Sequence, residues 1–313
     1  MALLAHPGKN SAAPEQEKRT LLLDSTRRSH RLERRKQLTG LLFVLPGVIP
    51  LLIFVIYPTL SAFVLSFTNW QFVGTPTFQG FNNYTSLFGD PQFRQSLVVT
   101  LELALTTSIP TTLLAFVIAL LLNAKIPGTG WYQTLFFLPS VLPTVVTTIV
   151  WSLLYQGNGV INISLNLAVP WLTDARWALL SVSLMMIWTN LGYFVIIMFA
   201  GVREIPIDYA EAARIDGANT LGVVWYIILP LIRPVLLFVV VIATTGALTL
   251  FTQTFLLTQG GPAGATRPLA ELIYDLAFSY LNIGEATAAS FVLLLLALLI
   301  AYVQFYVLRS KDI

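Results

Sequence analysis

Six apolar stretches, each long enough to cross a lipid bilayer, constrain this chain more than any other feature. They run approximately Leu38–Phe67, Leu97–Leu122, Trp131–Tyr155, Trp177–Val202, Leu231–Leu257 and Ala286–Leu308. A hydrocarbon core of about 30 Å takes about 20 residues of helix. Lipid offers no partner to a backbone N–H or carbonyl, so the spans must be helices. The expected fold class is an all-α polytopic membrane protein with six transmembrane helices. Composition agrees: 56% of residues are hydrophobic and 11% charged, against about 25% charged in soluble domains. There is no cysteine, and the two histidines, His6 and His30, lie near the N-terminus. Thiolate metal sites are excluded, and histidine chemistry is not expected in the apolar body.

Lysine and arginine set the orientation. With the N-terminus in the cytoplasm and six crossings, nine basic residues of the tail fall inside, as do Lys125, Arg203, Arg214, Arg233, Arg309 and Lys311. Only Arg94, Arg176 and Arg267 fall outside. Basic residues are enriched on the cytoplasmic side of membranes, so both termini are expected there. Residues 1–37 read as a basic, solvated tail ending in "RRSHRLERRK", suited to anionic headgroups. Residues 38–308 form the membrane domain, and residues 309–313 a short cytoplasmic C-terminus. The sequence pI near 9.2 owes much to the tail, so nucleic acid is not an expected partner. The triplets at Asn83 and Asn162 match glycosylation sequons, a pattern that arises often by chance.

Ionisable groups within a bilayer are the first functional suspects, and here they are almost absent. Glu102 lies near the outer end of the second span. No relay of acids or histidines crosses the midplane, so an ion-coupled secondary transporter finds little support. A polytopic enzyme acting on a lipid-linked sugar would want acidic or histidine residues at the membrane surface. The acids on the outer side, Asp90, Glu102 and Asp174, are scattered singly. Uncharged polar groups are plentiful. The fourth span holds Trp188, Asn190 and Tyr193. The fifth holds Thr245, Thr249, Thr252 and Gln253, which share a broad helical face at i, i+4, i+7, i+8 spacing. Amides, hydroxyls and aromatic faces suit a neutral polyhydroxylated solute. They equally suit hydrogen bonds between packed spans.

One stretch breaks the oily pattern. "DYAEAARIDGANTLGVVWYIILP", Asp208–Pro230, lies in the cytoplasmic connection 203–230 between the fourth and fifth spans. Pro206 and Asp208 suit a helix start. Gly217 interrupts the helix. A second short apolar helix, Leu221 to Ile228, is expected to lead back to the membrane. Alanines at positions 212 and 213 permit close approach. Such an element is either a knob presented to a cytoplasmic partner or an amphipathic loop lying on the bilayer.

The spacing Glu211-Ala212-Ala213, three residues, Gly217, nine residues, Ile227-x-Leu229-Pro230 resembles the EAA signature of inner-membrane permease subunits of binding-protein-dependent ABC importers, with no departure at the signature positions. "YPTLSAFVLSF", "QTLFFLPSVLPTVVTTIVWSLLY" and "FLLTQGGPAGATRPL" are similar to the sugar-type branch, the maltose- and glycerol-3-phosphate-permease-like group. The likeness covers roughly residues 38–308. It departs from the maltose permease, which has extra N-terminal spans and a large extracytoplasmic insert.

The resemblance implies a cytoplasmic coupling helix between helices 4 and 5 that docks on an ATPase. Tyr209, Glu211, Ala212, Ala213, Asp216, Gly217, Leu229 and Pro230 would carry the coupling. It implies a second permease, two ABC ATPase subunits and an extracytoplasmic solute-binding protein as partners. ATP and Mg would be bound by the ATPases and no cofactor by this chain, which has no G-x-x-x-x-G-K-[ST] loop. The expected location is a prokaryotic cytoplasmic membrane. The expected cargo is a sugar, oligosaccharide or polyol, because an anion would want a lysine or arginine near a span centre.

Overall fold

The computed structural model describes Gly40, residues 43–124 and residues 127–308. The expected basic tail 1–37, the C-terminus 309–313 and Lys125 lie outside the described residues. The chain divides into two compact units, Met1–Ala62 and Phe63–Ile313. Among the described residues β pairing is confined to isolated bridges, Thr68 with Phe78 and Gln71 with Val73. Among the described residues five helices are long and apolar enough to cross a membrane, or six if a bent pair counts as one span.

α1 is Phe43–Leu65 and carries no buried residue. Of its three prolines, Pro46, Pro50 and Pro58, the last follows a local widening of the helix. Residues Leu52–Ile56 form a π-helical turn, in which Tyr57 N donates to Leu52 O one turn before Pro58. Such turns occur as single insertions in α-helices.

In the second unit, α2 is Asn82–Gly89 and α3 is Pro91–Asn123. The sequence pattern places the start of α3 at Leu97. Asp90 moves it earlier, because its side chain accepts the Gln92 N–H at 2.9 Å while Pro91 occupies the first turn. α4 is Thr129–Val141 and α5 is Thr144–Leu154. These two replace the expected third span and meet at 96°. The cause is local: Leu142, preceding Pro143, is held extended at ψ 139°. α6 is Val160–Leu165, and α7, Ala175–Arg203, is capped by Asp174 through Arg176 N.

α8 is Ile207–Ile215. α9, Thr220–Leu248, corrects two expectations. There is no separate Leu221–Ile228 helix ahead of the span. Asn219 caps one continuous helix through Gly222 N at 2.8 Å, and a π-turn at Val224–Ile228 absorbs Pro230. The expected span to Leu257 instead ends at Leu248. At that end the Thr249 hydroxyl donates to the Thr245 carbonyl at 3.0 Å, sharing this acceptor with the Thr249 N–H. α10, Thr252–Leu257, starts afresh after Phe251 (φ −137°, ψ −60°). α11 is Leu269–Tyr274, continued by a π-turn to Ser279, and α12 is Ile283–Leu308.

Small residues bring these helices together. Ala115 and Ala119 of α3 pack with Val195 and Met198 of α7 and with Ile232 and Val239 of α9, all buried. Between membrane helices, where lipid is as apolar as leucine, such close van der Waals approach drives association. Gly192 of α7 has no alternative, since the main chain of Phe136 on α4 occupies the space of a side chain. The two sequon asparagines are structural. Asn83 Nδ2 donates to the carbonyls of Ser66 and Thr68 at 2.8 Å, and Asn162 Oδ1 accepts from Trp171 Nε1 at 2.9 Å.

Candidate transport site

A cavity of about 370 Å³ lies where the helices of the second unit break. α3 contributes Thr107, Ser108 and Thr111, all within about one turn beside Pro110. Their hydroxyls donate to carbonyls of their own helix, at Leu103, Ala104 and Thr107. Such back-bonding bends helices. α7 contributes Asn190 and Tyr193, and the interruption after α9 contributes Thr249, Thr252 and Gln253. Asn190 Nδ2 donates to Met186 O at 2.8 Å. The lining carries no ionised side chain. It offers hydroxyls and amides, which both donate and accept, together with the faces of Tyr193, Phe194 and Phe251.

The expected pathway residues therefore divide. Asn190, Tyr193, Thr249, Thr252 and Gln253 line the cavity. Trp188 packs edge to face on Trp151, with centroids 5.5 Å apart, and Thr245 serves through its carbonyl. The shared helical face proposed for Thr245, Thr249, Thr252 and Gln253 does not exist, because the helix ends between them. The break itself turns the last three toward one space. Thr107, Ser108 and Thr111 escaped the sequence reading. Their signal was present as a run of hydroxyls around a proline in "TTSIPTT". Glu102 is exposed on α3.

The polar stretch between α7 and α9 forms a second candidate site. α8 contains no buried residue, and Tyr209, Glu211 and Ala212 are exposed on it, with Ala213 half-buried. Its C-terminus closes by a complete Schellman arrangement. Gly217 N donates to Arg214 O at 3.1 Å, and Ala218 N to Ala213 O at 2.9 Å. Gly217 adopts φ +90°, a left-handed conformation that side chains resist. Asp216 ends the helix beside it. Leu229 and Pro230 sit in α9 after the π-turn.

Outside the spans, one carboxyl is unusual. Glu271 of α11 is 2% exposed, and its Oε2 has no hydrogen-bond partner among the described residues. Burial pushes it up to about 7, against a smaller opposing hydrogen bond from Thr254. Asp174, half-buried, is held below the ordinary carboxylate range by its hydrogen bond from Arg176.

Comparison with known proteins places this architecture. A family model described as the inner membrane component of binding-protein-dependent transport systems matches residues 111–312. The lactose transport system permease protein LacF of Rhizobium radiobacter is 31% identical over 291 residues, covering 90% of this chain and 97% of the relative. A crystal structure of a bacterial ABC transporter importing the acidic polysaccharide alginate superposes with a TM-score of 0.78 at 25% identity, over 92% of this chain and 100% of that one. A crystal structure of bacterial alginate ABC transporter in complex with alginate pentasaccharide-bound periplasmic protein gives 0.76 at 25% identity, over 90% and 96%. The family match covers α4 to α12, most of the helices that build the cavity, and the exposed α8. This chain belongs to the family of inner membrane components of binding-protein-dependent transport systems.

Proposed function

We propose that this chain is one of two permease subunits of an ABC importer and forms, with its partner permease, the path of a sugar, oligosaccharide or polyol. The observation that carries the cargo class is the cavity at the break after α9, walled by amides, hydroxyls and aromatic rings without an ionised group. A hydroxyl-rich neutral solute exchanges its water hydrogen bonds for these without leaving a buried charge unpaired. The lactose permease relative and the alginate importer agree with a carbohydrate cargo.

The exposed α8, with Tyr209, Glu211, Ala212, Ala213, Asp216 and Gly217, docks on one of two ATPase subunits that bind ATP and Mg. Leu229 and Pro230 hold the helix that leads from it. An extracytoplasmic binding protein delivers the solute, as a periplasmic protein is bound in the alginate complex. Both termini lie in the cytoplasm of a prokaryotic cell. The test is reconstitution of the complex in proteoliposomes with its binding protein. ATP-dependent uptake of a sugar is expected. Full uptake by preparations lacking any ATPase would overturn the proposal and revive an ion-coupled mechanism.

A further inference from the structure

A second cavity, of about 300 Å³, lies at the Gln92 end of α3. Gln92, Gln95 and Ser96 line it from the first turns of that helix, and Gln259 and Arg267 from the loop between α10 and α11. Gly260, Gly261, Ala263 and Gly264 complete the lining. The loop is shaped closely around these side chains. A Cβ on Gly260 would stand 2.8 Å from Arg267 Cβ, and one on Gly264 3.0 Å from Gln95 Nε2. Gln95 Nε2 donates to Ala263 O at 2.9 Å. Four residues of the loop are left-handed: Gln259 (φ 49°), Gly260 (72°), Ala263 (52°) and Gly264 (76°). For Gln259 and Ala263 this conformation costs about 1–2 kcal/mol each, and such strain gathers at ligand sites.

The chemistry of the lining selects a class of ligand. Three primary amides and a hydroxyl each donate and accept, as sugar hydroxyls do. Arg267 adds a planar fork of donors. Its charge is countered, since Nε stands 3.7 Å from Asp275 Oδ2. The cavity therefore favours a polyhydroxylated neutral ring over a free anion.

Position links it to the deeper cavity. Ser96 and Thr107 are eleven residues apart on α3, which puts them within about 20° on one face and about 16 Å apart along the axis. Between them Thr100 Oγ1 accepts the Leu269 N–H at 2.8 Å, with Leu269 wholly buried. α11 thus closes the face of α3 between two polar cavities.

We propose that the Gln92–Arg267 cavity is a loading subsite for a sugar ring, occupied before the Thr100–Leu269 contact opens. This rests on the reading of the chain as a saccharide permease. The test uses the whole complex in proteoliposomes with its binding protein and, as probes, lactose, maltose, raffinose and an alginate trisaccharide. Uptake by the unaltered complex comes first, and transport of none of them would overturn the saccharide reading itself. With the sugar that is carried, Gln92→Leu and Gln95→Leu are expected to raise KM about tenfold with kcat little changed. The chain contains no cysteine, so Gln92→Cys supplies its one thiol. The carried sugar is expected to slow its alkylation by a membrane-impermeant maleimide at least threefold. The Gln92 side chain is exposed and holds no loop residue in place, so its variants separate ligand contact from loop damage. KM within twofold of the unaltered value in Gln92→Leu, together with no protection of the thiol, overturns the subsite while leaving the transport reading intact. Preference for the acidic probe over the neutral ones overturns the assignment to a neutral ring.

Discussion

Replacing Gly217 by alanine isolates the contribution of one backbone conformation to coupling. At φ +90° the residue sits where a side chain is disfavoured, yet no atom lies within 4 Å of the Cβ that alanine would add. The penalty is therefore conformational rather than steric, about 1–2 kcal/mol. It falls on the two hydrogen bonds, to Arg214 O and Ala213 O, that close the end of α8. Asparagine tolerates left-handed backbone better than alanine, so Gly217→Asn should lose less. If α8 must be closed in this way to dock, the loss appears in full as weakened ATPase binding, a factor of about 5–30 for Gly217→Ala. The assay is titration of purified ATPase subunits onto the permease in nanodiscs, with membrane insertion checked in parallel. Affinity of Gly217→Ala equal to that of the unaltered chain would refute the reasoning. So would asparagine weakening binding more than alanine.

Other substitutions address other parts of the structure. Glu211→Lys, on a helix with no buried residue, is expected to leave insertion and thermal stability unchanged and to reduce transport-coupled ATP hydrolysis at least tenfold; undiminished hydrolysis would remove Glu211 from the docking contact. Gln253→Leu replaces a lining amide of the deeper cavity and should lower sugar uptake about tenfold in a fully assembled complex, whereas unchanged kinetics would place it outside the path. Glu271 is raised from 4.5 to about 7 by burial, so the folded state holds its proton more tightly than the unfolded. Stability attributable to it is complete below about pH 4.5 and declines as pH rises to 7. Melting of the permease at pH 5 and pH 8 should therefore differ less in Glu271→Gln than in the unaltered chain, with the variant gaining at pH 8; an equal pH dependence in both would show that the carboxyl is not the source. Gly192→Val drives a branched side chain into the Phe136 main chain and should prevent close packing of α4 on α7, read as a loss of folded protein in detergent; normal yield and melting would contradict that contact.

Hydrophobic length made most membrane helices legible, since about 20 apolar residues have one economical solution in lipid. Caps moved their ends: Asp90 starts α3 more than a turn before the apolar run and Asp174 starts α7 two residues before it, which hydropathy does not register. Interruptions were harder to see. Pro143 marks the 96° bend, but proline alone does not distinguish a kink from a break. At Thr249 no proline is present, and its bond to the Thr245 carbonyl is one that Thr107, Ser108 and Thr111 also make inside the unbroken α3, so nothing local marked the end. Five of the seven expected pathway residues reach the cavity, although the helical face invoked for four of them was wrong. Polarity identified them, and the break after Leu248 assembled them. The buried Glu271 left no mark in the sequence, because its setting depends on Gly260 of the loop and Thr254 of α10, which meet it only in the folded chain.

The continuity of α9 gives the molecule a mechanical axis. Its 29 residues form a rod about 43 Å long, joined at one end to the exposed α8 and ending at the other where Thr249 turns away. A rod carries thrust only as far as it is unbroken. If α8 docks on an ATPase as proposed, a push received near Thr220 would pass along α9 to Leu248 and there meet a joint, where axial travel would become sideways displacement of Thr252 and Gln253. Spin labels at positions 221 and 247 should keep their separation through the ATP cycle, while the distance from 247 to 256 changes.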